Sequence, residues 1–251
     1  MIKSYAKINI FLKITGRVVV ESVKYHTLYS RFMLVKNLFD CLEIQESKVG
    51  FEILGDFDCP MEKNTIYKVY EVVLPLLNQE RQEFLSHQKI EVEKKIPSGA
   101  GLGGGSSNAA AFLLWINEVL ELRWSFEKLN EIAQKVGSDV PFFVSQYEVA
   151  DVSGRGEKIF KSREKALEVE IVTPKIHCDT TKVYQTYAKD FYEPTQENWL
   201  EFSNAKILRQ SPYENNDLLN SAIKLYPSLK EYAQQGYFLS GSGSSFWKVK
   251  E

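Results

Sequence analysis

A dense run of glycines is the first candidate for a ligand-binding site in this sequence. Five of its 14 glycines fall within the seven residues 99–105 of the stretch KKIPSGAGLGGGSSNAAAFLLWIN, just before a helix-forming segment. Glycine loses more backbone freedom on folding than any other residue, so such a cluster needs a geometric reason. Inward-pointing N–H groups and the positive end of a helix dipole together attract an anion. The run therefore predicts a phosphate-binding loop, and a turn that only allows close packing is the alternative.

Better-known phosphate loops fit this run poorly. Gly99, Gly101 and Gly104 satisfy the dinucleotide-binding pattern GxGxxG, but the preceding KIEVEKKI alternates charged and apolar residues. The first strand of a dinucleotide-binding fold is instead continuously apolar, because it is covered on both faces. A Walker-type loop needs a lysine after its last glycine, and none follows Gly105. A protein-kinase loop fails as well, since the sequence contains neither HRD nor DFG. The remaining functional interpretation is a phosphate-binding loop of another type, in which Ser106 and Ser107 add hydroxyls at the first turn of the helix.

Three polar residues elsewhere are candidates for the chemistry itself. Lys7 and Asn9 are two apart in AKINIFLKI, so a strand puts them on one face, about 7 Å apart. The pattern alone slightly favours a solvated strand face for this pair. Asp139 lies between Gly137 and Pro141, where an aspartate often caps a helix. Alternatively, its carboxylate accepts a proton from an attacking alcohol, and a lysine cation suits the charge that phosphoryl transfer develops.

The composition excludes several classes of partner. A chain of 251 residues with 44% hydrophobic and 25% charged residues is long enough for one large or two modest globular domains. A net charge of −2 gives no general attraction for nucleic acid or anionic lipid, so an anionic ligand must be held locally. Lysines interrupt the apolar N-terminus, which is neither a signal peptide nor a membrane span. Cys41, Cys59 and Cys178 form no CxxC pair. We expect reduced thiols in a cytoplasmic protein without a nucleic-acid or membrane partner.

Hydrophobic periodicity predicts strands and helices around these residues. AKINIFLKI alternates as a strand with one face in the core. NTIYKVYEVVLPLLNQ has helical spacing, with Asn64 as its N-cap and Pro75 bending or shortening it. KIEVEKKI is a strand that runs into the glycines, and SSNAAAFLLWINEVLEL and SFEKLNEIAQKVG are helices, the second stopped by Gly137.

The composition changes near residue 157. ALEVEIVTP is a predicted strand, TTKVYQTYAKDF a helix and residues 192–216 a polar, irregular stretch. YFLSGSGSSFWKVK is predicted to form two short strands around a glycine turn. Mixed strands and helices without strict alternation indicate an α+β protein. We predict two domains, over residues 1–155 and 156–251.

Several motifs resemble those of one family, the GHMP kinases, named for their galactokinase, homoserine, mevalonate and phosphomevalonate members. PSGAGLGGGSSNAAA resembles the phosphate-binding loop of this family. AKINIFLKITGR, the pair Tyr25–His26, GSDVPFFV and SGSGSSFW resemble one branch of it, so the likeness spans residues 6–247. The resemblance implies a two-domain fold, with an N-terminal domain like ribosomal S5 domain 2 and a ferredoxin-like C-terminal domain. It implies ATP-dependent phosphorylation of the C2 hydroxyl of a cytidine-diphosphate-linked methylerythritol, in the non-mevalonate route to isoprenoid precursors.

The same resemblance assigns roles to individual residues. Lys7 and Asp139 take the catalytic positions. Asn9, Tyr25 and His26 contact the substrate, with His26 facing the cytosine, and Tyr184 stacks on the base. Mg²⁺ is expected to bridge the ATP phosphates, with no carboxylate ligand identified and Ser107 or a neighbour as a possible hydroxyl ligand. The ATP loop spans residues 97–107 and includes Pro97, Gly99, Gly101, Leu102, Gly103, Gly104, Gly105, Ser106 and Ser107.

The sequence also departs from the family pattern. RVVVESVKYH is longer than the usual turn and puts Lys24, rather than glycine, before Tyr25. The path of this loop and the place of His26 therefore stay open. The chain stops soon after SGSGSSFW, which predicts a trimmed second domain. His87 and His177 match no motif and are expected to be structural or exposed. The alternatives are another GHMP kinase, acting on homoserine or mevalonate, and a nucleotide-binding relative without activity.

Overall fold

The computed structural model describes residues 1–20 and 22–250. The chain forms two compact units that are interleaved along the sequence. The first unit contains Met1–Ala6, Lys36–Ser98 and Gly103–Gln146, and the second contains Lys7–Val35, Gly99–Leu102 and Tyr147–Glu251. The interleaving arises because two long strands, β1 (Ile2–Val20) and β2 (Val23–Glu46), each contribute residues to both units. The predicted boundary between two domains, after residue 155, would divide the chain only once, and it stays a prediction.

The first unit contains a small sheet. Residues 41–46 of β2 pair antiparallel with β4 (Gln88–Glu93), and β3 (Glu52–Gly55) pairs parallel with β4. The register places Ile44 opposite Ile90, and Ile90 is fully buried. β4 thus contains the first five residues of the predicted strand KIEVEKKI, and residues 94–96 connect it to the glycine run without strand structure.

Helices complete the first unit: α1 (Thr65–Val73), α2 (Gln79–Ser86), α3 (Gly104–Val119), α4 (Phe126–Val136) and α5 (Val140–Val144). The predicted N-cap is confirmed, since Asn64 Oδ1 accepts from Ile66 N at 2.9 Å. The predicted effect of Pro75 is also confirmed, because α1 ends at Val73 and a 3₁₀ turn follows at Leu74–Leu76. Buried side chains of α1, α3 and α4 form the core, among them Val69, Phe112 and Ile132.

In the second unit, residues 28–33 of β2 pair antiparallel with β5 (Val149–Gly154), which pairs with β6 (Lys158–Lys161). The prediction that β1 buries only one face is wrong. Phe11 on the second face is fully buried, with its ring 5.6 Å from that of Trp199, and Lys7 and Asn9 are buried as well. A period-two pattern cannot reveal this, because aromatic side chains from distant parts of the chain cover the polar face.

The rest of the second unit is a layer of strands and short helices. β7 (Val169–Val172), β9 (Phe246–Val249) and β8 (Phe238–Leu239) form an antiparallel sheet in that order, which confirms the two predicted strands around SGSGSS. Helix α6 (Thr180–Thr186) continues into a π-helical turn, Tyr187–Phe191. The stretch 192–216 is less irregular than predicted, because it contains α7 (Asn204–Ile207) and α8 (Pro212–Asn215). Helices α9 (Leu219–Leu225) and α10 (Lys230–Gln234) follow, separated by a turn at Pro227.

The strands and helices confirm an α+β fold. Cys41, Cys59 and Cys178 are free thiols, as predicted. No helix within the described residues has the length and apolar character that a membrane span requires.

Candidate active site

Lys7 and Asn9 form a buried polar pair in the second unit. Only 3% of the surface of Lys7 and 1% of that of Asn9 are exposed. Lys7 Nζ donates to Asn9 Oδ1 at 2.7 Å, and Asn9 Nδ2 donates to Ser30 Oγ at 2.9 Å. The Lys7 ammonium also lies 4.6 Å from the centre of the Phe32 ring. The solvated-face interpretation is therefore wrong.

Backbone contacts fix this strand against one half of the glycine run. Lys7 N donates to Leu102 O at 2.9 Å, and Trp247 Nε1 donates to Asn9 O at 3.0 Å. Ser240 Oγ donates to Gly101 O at 2.9 Å. The turn between β8 and β9 thus lies beside residues 99–102.

His177 also contacts this half of the run. Its ring atoms lie 2.5 and 2.6 Å from the point where a Cβ on Gly99 would stand, so a side chain there would displace the imidazole from this position. His177 is exposed, as predicted. Its position against Gly99 was not foreseen, because no pattern in the sequence connects the two residues.

The other half of the glycine run opens α3 in the first unit. Gly103, at φ +70°, occupies the N-cap position and offers no side chain to the first N–H groups of the helix. These N–H groups lie at the positive end of a 16-residue helix. Thr65 Oγ1 holds the start of the helix by donating to Gly105 O at 2.7 Å. Ser107 Oγ lies 2.7 Å from Ser4 Oγ and is buried, whereas Ser106 is only half-buried. The geometry suits phosphate binding, and the roles of residues 97–107 stay predictions.

A buried ion pair stands where β4 leads into the glycine run. Asp40 is fully buried, and its Oδ1 accepts from Lys95 N at 2.7 Å and from Ile96 N at 2.8 Å. Its Oδ2 accepts from Lys94 Nζ. Lys94 Nζ lies 3.3 Å from the position of a Cβ on Gly104, the first residue of α3. Sequence reasoning missed this group, because FDCLEI reads as an ordinary alternating strand.

Asp139 lies in the first unit, at the N-cap position of α5. Its side chain makes no capping hydrogen bond, and the residue is half-buried. The capping alternative therefore has no support in the geometry. Lys7, its predicted catalytic partner, belongs to the second unit. The role of Asp139 as a base stays a prediction.

Aromatic rings enclose His26 in the second unit. The ring centres of Tyr184, Tyr187 and Tyr192 lie 5.5, 5.8 and 6.1 Å from that of His26. His26 Nε2 is buried without a hydrogen-bond partner among the described residues. Burial, and secondarily the charge of Arg17, lower the pKa of His26 from its usual 6.5. The cluster brings together the predicted pair of His26 and Tyr184 and adds two tyrosines that the sequence did not single out.

Tyr25 faces a different environment from its neighbour His26. It is 40% exposed, and the guanidinium of Arg155 lies 5.0 Å from the centre of its ring. Alternation along β2 explains the difference, because successive side chains of a strand point to opposite faces. The longer segment before Tyr25 continues both strands as far as Val20 and Val23, and Glu21 lies outside the described residues.

A protein-only metal site is not found within residues 1–20 and 22–250. No group of three or more His, Cys, Asp or Glu residues there could hold a metal ion.

Comparison with known proteins gives similarities along the whole chain. A family model, the GHMP kinases N terminal domain, matches residues 64–147. A 4-diphosphocytidyl-2-C-methyl-D-erythritol kinase of Sulfurimonas denitrificans is 44% identical, with 99% of this chain and 96% of the relative covered. The crystal structure of a 4-(cytidine 5'-diphospho)-2C-methyl-D-erythritol kinase is 27% identical, with a TM-score of 0.75 over 99% of this chain and 89% of that one. A mevalonate kinase structure, 15% identical with a TM-score of 0.64 over 100% and 91% of the two chains, is similar in fold alone.

Proposed function

The chain belongs to the 4-diphosphocytidyl-2-C-methyl-D-erythritol kinases, a family within the GHMP kinases, and we propose that it transfers the γ-phosphoryl group of ATP to the C2 hydroxyl of that substrate. The observation that carries the proposal is the 44% identity, over 99% of the chain, to a relative of that name. The reaction belongs to the non-mevalonate route to isoprenoid precursors, and the proposal includes the cytoplasmic location predicted from the sequence.

In the proposed reaction, Asp139 is the base. Its carboxylate takes the proton of the C2 hydroxyl while the hydroxyl oxygen forms a bond to the γ-phosphorus. The bond from the γ-phosphorus to the bridging oxygen breaks, and ADP leaves with the electron pair. Two facts support the assignment: the Asp139 side chain is not used as a helix cap, and the residue is half-buried rather than fully enclosed. Phosphoryl transfer asks mainly for positioning and charge stabilisation, so one oriented carboxylate is sufficient as a base.

Lys7 supplies positive charge in this proposal. Its hydrogen bond to Asn9 Oδ1 fixes the direction of the ammonium group, and burial strengthens any interaction with the transferring phosphoryl group. Asn9 has a second partner in Ser30. The pair is thus held in place before a substrate arrives, which lowers the cost of reorganisation during the reaction.

The glycine run binds the phosphates of ATP. The uncapped first turn of α3 offers N–H donors, and the helix dipole favours negative charge there. Mg²⁺ would neutralise charge on the phosphates when bound with the nucleotide, and Ser107 or a neighbour would supply a hydroxyl ligand. The protein contributes a rigid loop, because Gly101 O and Leu102 O both accept hydrogen bonds.

His26 and Tyr184 provide selectivity for the cytosine base. A neutral imidazole has one donor and one acceptor, and a tyrosine ring offers a stacking face for a pyrimidine. The lowered pKa of His26 favours this neutral form. The buried Nε2 without a partner is a cost that a polar group of a ligand would remove.

The test is ADP release from MgATP with the cytidine substrate, beside mevalonate and homoserine. We expect turnover on the cytidine compound alone, lowered by about 10²-fold or more in Asp139→Asn, with ATP binding nearly intact. Asp56→Asn, at an exposed position outside the helices and strands, is the matched control and should behave as wild type. Near wild-type turnover in folded Asp139→Asn would overturn the role of the base. Turnover on another alcohol would overturn the substrate, and ATP binding without any turnover would indicate a relative that has lost the activity.

A further inference from the structure

Asp40 is a buried charge that the proposed chemistry does not use. It is fully buried and lies on β2, between the apolar residues Phe39 and Cys41. A carboxylate in such a position is costly unless cations or several donors satisfy it. Asp40 has three donors, namely the Lys94 ammonium and the N–H groups of Lys95 and Ile96. All three belong to the three residues that directly follow β4.

The residues held by Asp40 are also the residues that meet the start of α3. A Cβ placed on Gly104 would lie 2.9 Å from Ile96 Cγ2 and 3.3 Å from Lys94 Nζ. Gly104 is itself buried, so the helix start rests directly on these two side chains. One carboxylate therefore fixes both the backbone that leads into the glycine run and the side chains beneath its helical end.

Two positive groups lie close together at the start of α3. The first turn of α3 carries the positive end of the helix dipole, and the Lys94 ammonium lies beside it. Two positive groups so close together repel each other when no anion is present. The Asp40 carboxylate offsets this repulsion, because it accepts a hydrogen bond from the Lys94 ammonium. The Lys94 side chain is only 11% exposed, so solvent screens its charge weakly.

We propose that Asp40 is a positioning residue for nucleotide binding: it holds Lys94 and Ile96 so that the N-terminal end of α3 is preset to receive phosphate. The inference rests on the proposed function, since it concerns ATP as the ligand of the glycine run. Asp40 touches no substrate in this account and acts only through β4 and the loop that follows. Its loss should therefore affect the affinity for the nucleotide and leave the chemical step unchanged.

Asp40→Asn is the informative change. The amide keeps an oxygen for Lys95 N and Ile96 N but loses the charge that holds Lys94. We expect the KM for ATP and the Kd for ADP, measured by calorimetry, to rise about tenfold. The kcat and the KM for the cytidine substrate should stay within about twofold of wild type.

Asp217→Asn is the matched control. Asp217 is also a largely buried carboxylate that accepts from a lysine, Lys13, and from a backbone N–H, that of Ile14 at 2.7 Å. Its contacts do not involve the glycine run. Both variants should lower the midpoint of urea unfolding. The control alone should leave the KM for ATP within about twofold of wild type.

An unchanged ATP KM and ADP Kd in Asp40→Asn would overturn the inference while leaving the kinase activity established. An equal rise in the control would overturn it too, because loss of stability alone would then explain the effect. If Asp40→Asn does not fold, Lys94→Gln replaces it, since Asp40 acts through Lys94 and the same rise in ATP KM is expected. Absence of turnover and of ADP binding in the wild type would instead overturn the proposed function.

Discussion

The contact between Gly101 and Ser240 allows a quantitative prediction. Gly101 has φ +76°, and a Cβ added there would stand 2.2 Å from Ser240 O and 3.1 Å from Gly243 O. An alanine in the left-handed region costs about 1–2 kcal/mol. The carbonyl of Ser240 belongs to the backbone of a turn, so relieving the overlap displaces that turn, which costs about 1–3 kcal/mol more. We therefore expect Gly101→Ala to lose about 2–5 kcal/mol of unfolding free energy.

Alanine variants at two other glycines separate the backbone cost from the cost of the steric overlap. Gly236 has φ +82° with nothing within 4 Å of its Cβ position, so Gly236→Ala carries only the backbone cost of about 1–2 kcal/mol. Gly105 lies in the first turn of α3, where a Cβ would meet only the Thr65 side chain at 3.2 Å. Gly105→Ala should change stability by less than about 1 kcal/mol, because alanine favours the helix and the side chain can adjust.

Urea unfolding of the three variants, followed by the fluorescence of the four tryptophans, is the assay. The expected order of stability loss is Gly101→Ala, then Gly236→Ala, then Gly105→Ala. Gly101→Ala should also raise the KM for ATP, because the same loop lies in the predicted phosphate cradle. If Gly101→Ala loses no more than Gly236→Ala, the close approach to Ser240 O does not govern this position.

Two further predictions concern the His26 cluster and the helical core. Burial and then Arg17 lower the pKa of His26 below 6.5. The stability that its neutral form contributes, and the cytidine affinity proposed for it, should therefore be present above pH 6.5 and be lost as pH falls through the lowered pKa. Arg17→Gln should raise that pKa in an NMR titration, and an unchanged value would refute the contribution of Arg17. Ile132→Ala, at a fully buried position of α4, should cost about 2–5 kcal/mol in urea unfolding, whereas Val119→Ala, at a 42% exposed position, should stay within about 0.5 kcal/mol. Equal losses would mean that Ile132 does not lie in a packed core.

Local signals predicted the helices well because each has a local physical cause. Asn64 caps α1 through its own side chain, and Gly137 ends α4 as predicted. Pro75 cannot donate to the preceding turn, so the helix gives way to a 3₁₀ turn there. The short strands β8 and β9 follow from apolar residues on both sides of a glycine-rich turn. These features depend on neighbours within a few residues, which a sequence displays directly.

Long-range features were harder to foresee. β1 and β2 have 19 and 24 residues, far more than the usual five or six, and each contributes residues to both units. No local pattern in the sequence predicts strands of this length. The tyrosines around His26 meet because a π-helical turn at Tyr187–Phe191 interrupts the helical spacing. Such turns are rare and often mark functional places. Tyr187 and Tyr192 therefore could not be assigned to one face of a regular helix from the sequence.

The net charge of −2 led to the expectation that an anionic ligand is held by local groups. In the second unit, Lys7 is 3% exposed and its N–H bonds to Leu102, within the glycine run. In the first unit, the side chain of Lys94 is 11% exposed and meets Gly104, also within the run. Each lysine is held by a polar side chain, Asn9 or Asp40, rather than released to solvent. In each unit, a lysine of low exposure therefore contacts its own part of the glycine run, through the backbone N–H for Lys7 and through the side chain for Lys94.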